Sequence, residues 1–183
     1  MIIDTKRLRL RPWLISDAPS LYEYAKNPLI GPVAGWPVHT SIANSQEIIA
    51  SILSEPETYA ICLKQDNSPI GCIGLLFGEK SNVKDITVDE AEVGYWIAEP
   101  FWGKGLAPEA LNAVMQYAFE TLQLEKLWCG NFSGNEQSRS VQKKCGFIYS
   151  HTNKDVYWSL LDEFRTEHVS FLTKKRWQKL QAI

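Results

Sequence analysis

Apolar positions recur along this chain with two different periods, and each period marks a different kind of element. Residues 5–13 alternate, with Leu8 and Leu10 on one side and Arg7, Arg9 and Arg11 on the other. That is the pattern of a half-exposed strand. Ser16 and Asp17 then offer helix N-caps, and Pro19 is tolerated in the first turn of a helix carrying Leu21, Tyr22 and Ala25. Residues 27–40 hold Pro28, Gly31, Pro32, Gly35 and Pro37, which predicts a loop. A loop of that length inside a compact domain is usually functional or mobile. A helix follows, with Ile42, Ile48, Ile49, Ile52 and Leu53 on its apolar stripe. Residues 58–64 and 69–78 flank the turn Gln65-Asp66-Asn67-Ser68 and predict a hairpin. A polar stretch over 79–89 leads to a strand at residues 91–98.

The clearest helical period runs from Leu106 to Leu122, through Ala107, Ala110, Leu111, Val114, Met115, Ala118 and Phe119. Residues 127–131 predict another strand, and Asn135 or Ser138 opens a short helix that Gly146 ends. Strands at 147–151 and 167–173 complete the set. Strands, then helices, then strands again make an α+β or mixed α/β layer fold. No internal repeat or Pro/Gly-rich linker interrupts the 183 residues. One domain over residues 1–183 is therefore expected.

Composition narrows the classes. The chain is 45% hydrophobic and 22% charged, with a formal charge of −2. A general nucleic-acid binder would carry a clustered basic excess, so no nucleic-acid partner is expected. Met1 is followed by Asp4, Lys6, Arg7, Arg9 and Arg11, without an apolar run that could act as a signal peptide. No apolar run approaches the roughly 18 residues that span a bilayer. A cytoplasmic protein without a membrane partner is expected, with a homodimer left open. Cys62, Cys72, Cys129 and Cys145 lie singly along the chain and read as small core residues, with no metal site.

Residues 99–110, Glu-Pro-Phe-Trp-Gly-Lys-Gly-Leu-Ala-Pro-Glu-Ala, lie between a strand and the best helix of the chain. Two glycines allow a tight turn whose N–H groups point one way. Pro108 suits an early helical position. The amides at the helix start, helped by its dipole, suit a phosphate, and Lys104 can add positive charge. Gly-x-Gly alone is a weak signal that a plain strand–helix turn also explains. It is not a Walker loop, since no Gly-Lys-Ser/Thr follows, nor a dinucleotide fingerprint, since the third glycine is missing.

Four stretches occur in one order: Glu92-Val93-Gly94-Tyr95-Trp96-Ile97, the turn from Trp102 to Ala110, Asn135-Glu136-Gln137-Ser138, and Lys144-Cys145-Gly146-Phe147. In this order the chain resembles the GCN5-related N-acetyltransferases (GNAT), and within them the branch of ribosomal-protein N-terminal acetyltransferases. The resemblance extends from the Arg-Leu-Arg-Leu-Arg strand to Leu172. It implies a splayed central β-sheet flanked by helices, with acetyl-CoA in a cleft between the strands at 91–98 and 127–131. It also implies that the pantetheine arm meets the backbone at Trp96 and Ile97. The pyrophosphate would rest on the amides of Trp102, Gly103, Lys104, Gly105, Leu106 and Ala107. The family's Arg/Gln-x-x-Gly-x-Gly/Ala signature falls on Trp102 to Ala107, with Trp102 replacing Arg/Gln. Asn135 matches an asparagine that contacts the cofactor.

Acetyl transfer to an amine needs a neutral amine, a held thioester, donors for the developing oxyanion and a proton for the departing thiolate. Backbone N–H groups near residues 94–97 are candidates for the oxyanion. Glu92 is the candidate base, acting through water, with an exposed carboxylate or ion-pair partner as the alternative. Ser138 is the candidate partner of the thiolate, or else a helix cap. Relatives place a tyrosine four residues before the glycine of Gly-Phe; here that position is Gln142. On the acceptor side, His39 and Trp36 in the long loop are candidate substrate contacts, with packing as the alternative. The implied reaction moves acetyl from acetyl-CoA to a primary amine. The acceptor could be a protein N-terminus or a small molecule such as an antibiotic, polyamine or amino acid. A non-catalytic acyl-CoA-binding module is the competing reading.

Overall fold

A computed structural model describes residues 1–182, so Ile183, the last residue of the expected domain, lies outside the described residues. In chain order the strands are β1 (Ile3–Asp4), β2 (Leu8–Arg11), β3 (Thr58–Leu63), β4 (Pro69–Leu76), β5 (Glu90–Ile97), β6 (Lys126–Phe132), β7 (Ile148–Trp158) and β8 (Glu163–Thr173). The helices are α1 (Ala18–Ala25), α2 (Gly31–Ala34), α3 (Ile42–Ile48), α4 (Leu106–Gln116), α5 (Glu136–Lys144) and α6 (Lys174–Gln181). Backbone hydrogen bonds link the strands in the order β1-β2-β3-β4-β5-β6-β8-β7. The pairing is mostly antiparallel, with β5 and β6 parallel. The fold is the expected mixed α/β class. Among the described residues, no helix is long and apolar enough to cross a membrane.

The chain forms two compact units. The first comprises Met1–Gly74 and Tyr95–Ala110. Its core includes Trp13, Ala18, Leu21, Ala25, Ile49, Ala60, Cys62 and Cys72, with Trp36 and Trp96 packed against it. Asp17 stands at the N-cap of α1, as its sequence position suggests, but its side chain does not cap. Its carboxylate instead takes both arms of the Arg11 guanidinium, at 2.7 and 2.9 Å. Arg11 is therefore buried, although strand alternation placed it on the solvent side. The stripe expected over residues 42–53 is also revised. The helix changes to π geometry over Ile49–Leu53, and Ile42 and Ile52 are exposed while Ile49 is buried. A π turn shifts the residues within and after it around the axis, so a period of 3.6 no longer places Ile52, whereas Ile42 is exposed at the first position of α3, before the change.

The second unit comprises Leu75–Gly94 and Leu111–Ile183, of which the last residue is not described. Leu111, Val114, Met115, Ala118, Phe119, Leu127, Cys129, Val169 and Leu172 are buried in it. The expected strands at 147–151 and 167–173 are the inner parts of a longer hairpin, in which β7 and β8 pair from Ile148↔Phe171 to Trp158↔Glu163. β6 pairs along its whole length with β8, from Lys126↔Thr173 to Phe132↔Glu167. Its parallel register with β5 covers only Glu90–Glu92 against Lys126–Trp128. The basic C-terminal segment forms α6, whose Trp177 turns inward against Phe119 with ring centroids 5.4 Å apart. All four cysteines are free and buried, and burial pushes the thiols up, Cys62 to about 11 and Cys72 to about 12.

Candidate functional site

The glycine turn belongs to the first unit. Strand β5 ends at Ile97, a 3-10 turn covers Glu99–Phe101, and α4 starts at Leu106. Gly103 and Gly105 both hold positive φ, +70° and +73°, the left-handed region that other residues enter at a cost. Nothing lies within 4 Å of the position a Cβ on Gly103 would take. The turn is thus open on that side, and the first amides of α4 have no intrahelical acceptor. This arrangement fits a pyrophosphate.

The surroundings of the turn are built by long-range contacts. Trp102, in the place of the Arg/Gln of the signature, donates its indole Nε1 to the Ile97 carbonyl at 2.6 Å. The Trp96 carbonyl lies over Gly71 of β4, where a Cβ would collide with it. The Lys104 ammonium sits 5.3 Å from the Phe101 ring centroid. Phe101 in turn meets Tyr24 of α1 edge-on. Glu109, in the first turn of α4, accepts from Thr5 Oγ1 at 2.6 Å, from the Arg7 backbone N–H at 2.8 Å and from Arg7 Nε at 2.6 Å. Burial alone would raise the Glu109 carboxyl; these hydrogen bonds outweigh it and hold the group below its usual range.

Trp36 and His39 also belong to this unit. The Trp36 ring stacks at a tilt on both His39 and Trp96, with centroids 5.3 and 5.7 Å away. His39 is buried, its Nδ1 lies 2.8 Å from Ser45 Oγ, and its N–H donates to the Ala25 carbonyl. Burial lowers its pKa, which favours neutral imidazole. The His39 imidazole therefore ties the long loop to α3 and its backbone N–H ties it to α1, while Trp36 closes the short α2 turn over Gly31.

The second unit holds the remaining candidates. Glu92 is not an exposed strand-end carboxylate: it is only 5% exposed. It accepts from Ser81 Oγ at 2.9 Å and from the Asn82 N–H at 2.6 Å, both in the polar stretch before β5. Asn135 is the N-cap of α5, its Oδ1 accepting the Ser138 N–H at 3.0 Å. Ser138 is therefore the capped residue, not the cap. Gln142 is 2% exposed, and its Nε2 donates at 3.3 Å to the Gly130 carbonyl, Asn131 Oδ1 and Ser138 Oγ.

The family follows from the chain as a whole. Residues 7–148 match the model of the acetyltransferase (GNAT) domain family. The chain belongs to this family. Among GNAT relatives, YdaF of Bacillus subtilis (strain 168), provisionally named a ribosomal N-acetyltransferase, is 36% identical over 110 residues. That match covers 54% of this chain and 57% of YdaF, so it spans less than two thirds of the relative. Two solved structures share the fold. The GNAT-family acetyltransferase of Bacillus anthracis has a TM-score of 0.79 at 18% identity, covering 96% of this chain and 99% of that one. RimJ of Mycobacterium smegmatis, solved in complex with CoA-disulfide, has a TM-score of 0.74 at 20% identity, covering 96% and 88%.

Within this GNAT chain, several residues prominent in the structure carry no local signal in the sequence. In the sequence Arg7 is only one basic residue of an alternating strand, and Glu109 only one residue of the stretch around the glycine turn. Glu167 of β8 is 6% exposed, with Asn153 Nδ2 3.3 Å from its Oε2. Burial raises its pKa, and the Glu92 carboxylate adds to the rise. The space it occupies exists because residue 130 is glycine: a Cβ there would lie 2.5 Å from Glu167 Oε1. No local pattern at positions 130 and 167 announces this packing.

Proposed function

We propose that this chain is an acetyl-CoA-dependent N-acetyltransferase acting on a primary amine, and that the acceptor is the α-amine of a polypeptide. The observation that supports it best is the turn at residues 102–107, with two positive-φ glycines opening onto the start of α4 in a chain of the GNAT family. Acetyl-CoA supplies the activated acetyl thioester. The amides of residues 103–107 would hold the pyrophosphate, and the end of β5 around Trp96 and Ile97 would meet the pantetheine arm. Indole donation from Trp102 occupies one lone pair of the Ile97 carbonyl and ties the strand end to the turn.

In this reading Glu92 takes a proton from the acceptor ammonium through water, and the neutral amine so formed attacks the thioester directly in a ternary complex. Hydrogen bonds from Ser81 and Asn82 orient the carboxylate. Ser138 would donate to the departing thiolate. A thiol has a pKa of about 8.5, so a strong acid is dispensable, in keeping with Gln142 standing where relatives carry tyrosine. Asn135 is read as a cofactor contact in addition to its cap. The whole described chain is taken as one GNAT domain working in the cytoplasm, as either a monomer or a homodimer.

The α-amine preference rests on proton chemistry. An α-amine has a pKa near 8 and a lysine amine one near 10.4, so only the former is neutral in useful fraction at pH 7. YdaF is provisionally named for ribosomal acetylation, which favours a protein acceptor over a small molecule. The deciding experiment offers acetyl-CoA with a peptide carrying a free N-terminus and with its N-blocked, lysine-containing counterpart. Labelling of the first and not the second is expected. Equal labelling of lysine removes the α-amine preference, and absence of transfer to any amine leaves the acyl-CoA-binding module.

A further inference from the structure

Arg7 is the residue just before β2, far in sequence from the glycine turn, yet it grips the middle of that turn and the first turn of α4 behind it. Its Nη1 donates to the Lys104 carbonyl at 2.8 Å, and its Nε donates to Glu109 Oε2 at 2.6 Å. Its Nη2 lies 3.6 Å from the position a Cβ on Gly105 would take. Thr5 Oγ1 and the Arg7 N–H complete the hold on Glu109 Oε1.

The consequence lies in the peptide unit between Lys104 and Gly105. A trans peptide is planar, with its carbonyl and its N–H pointing in opposite directions. Anchoring the Lys104 carbonyl to the guanidinium therefore aims the Gly105 N–H the other way. Without that anchor, a glycine-rich turn can rotate this peptide plane easily, because Gly105 has no Cβ to resist it. A rotated plane would present a carbonyl oxygen, and hence a repelling partial charge, to a bound phosphate.

We propose that Arg7 is a positioning residue for the anion-binding turn, fixing the Lys104–Gly105 peptide so that the amides of residues 103–107 converge on the pyrophosphate of CoA. The role does not come from ion-pair energy, since the Arg7 side chain is 44% accessible and such pairs contribute little to stability. It comes from the shape of the guanidinium, whose rigid fork serves a carboxylate and a carbonyl together. The inference rests on the acetyl-CoA reading above.

Calorimetric titration of CoA and of pantetheine, which lacks the phosphates, tests it. Arg7→Ala is expected to weaken CoA at least about 10-fold, as loss of a charged hydrogen-bonding group would, and to leave pantetheine unchanged. Arg7→Lys is expected to behave like Arg7→Ala, because one ammonium cannot hold both partners in the same geometry. A purely structural role would lower the ligand-free melting temperature and weaken both ligands together. That result, or unchanged CoA affinity, overturns the inference while the cofactor reading stands. A wild-type protein that binds no CoA overturns both. Should Arg7→Ala fail to fold, Arg7→Lys and Glu109→Gln carry the same comparison.

Discussion

The indole Nε1 of Trp102 donates to the carbonyl oxygen of Ile97 at 2.6 Å, so the first side chain of the glycine turn folds back onto the strand that leads into it. The family signature has arginine or glutamine at this position. Tryptophan keeps a donor there and spends it on the protein itself, so in the proposed site the anion would be met by backbone amides.

Trp102→Phe keeps the ring and removes the donor. It is expected to destabilise the fold by about 1 kcal/mol, the usual net worth of one hydrogen bond. CoA affinity should fall as well, because strand end and turn lose their link. Chemical denaturation and calorimetric titration check the two effects separately, and a variant unchanged in both would show that the indole bond has no role.

Gly105→Val is expected to abolish CoA binding. At φ +73° a β-branched side chain is strained by roughly 1–3 kcal/mol, and its Cβ would already be in van der Waals contact with the Arg7 guanidinium. The chain can relieve the strain only by moving the turn. Normal CoA binding by a folded Gly105→Val protein would remove residues 102–107 as the pyrophosphate site.

Asn135 invites a two-variant test, since its side chain caps α5 and is also read as a cofactor contact. Asn135→Ala should cost about 1 kcal/mol through the lost cap. Asn135→Ser keeps an oxygen able to cap and should retain stability while losing the carboxamide. A Michaelis constant for acetyl-CoA that rises in both variants assigns the contact. A normal constant in Asn135→Ser leaves Asn135 as a cap alone.

Glu167→Gln is expected to raise stability at neutral pH. Burial raises the folded carboxyl above its ordinary 4.5, so the folded state holds its proton at pH values where the unfolded chain has released it. Stability from this group is complete below about pH 4.5 and is lost as pH rises through the folded value. Glutamine cannot ionise and escapes that loss. Thermal melts between pH 4.5 and 8 should show the variant's advantage growing with pH; an advantage independent of pH would exclude titration of Glu167 as its source.

Local chemistry was legible without coordinates wherever a residue's own backbone preference decides the outcome. Gly103 and Gly105 announce a turn, Pro108 suits the start of a helix, and the spacing from Leu106 onward reads as helical because one face must be apolar. The structure has α4 beginning at Leu106 and α5 capped by Asn135, in line with those signals. The polar run Thr152-Asn153-Lys154-Asp155 has no such signal. It is a strand because β8 supplies its hydrogen-bond partners, and alternation could not reveal that.

What the sequence by itself determined was therefore the order and type of most elements, the mixed α/β class and the position of the glycine turn. These depend on φ preferences and on periods of two or 3.6 residues, both properties of short windows. Only the tertiary structure decided that Arg11 is buried on Asp17, that Glu92 is held by residues 81 and 82, and that Arg7 grips Lys104 and Glu109. A charged side chain looks the same in sequence whether solvent or a partner satisfies it. Which of the two prevails is fixed by which distant backbone comes within about 3 Å, and that is a property of packing.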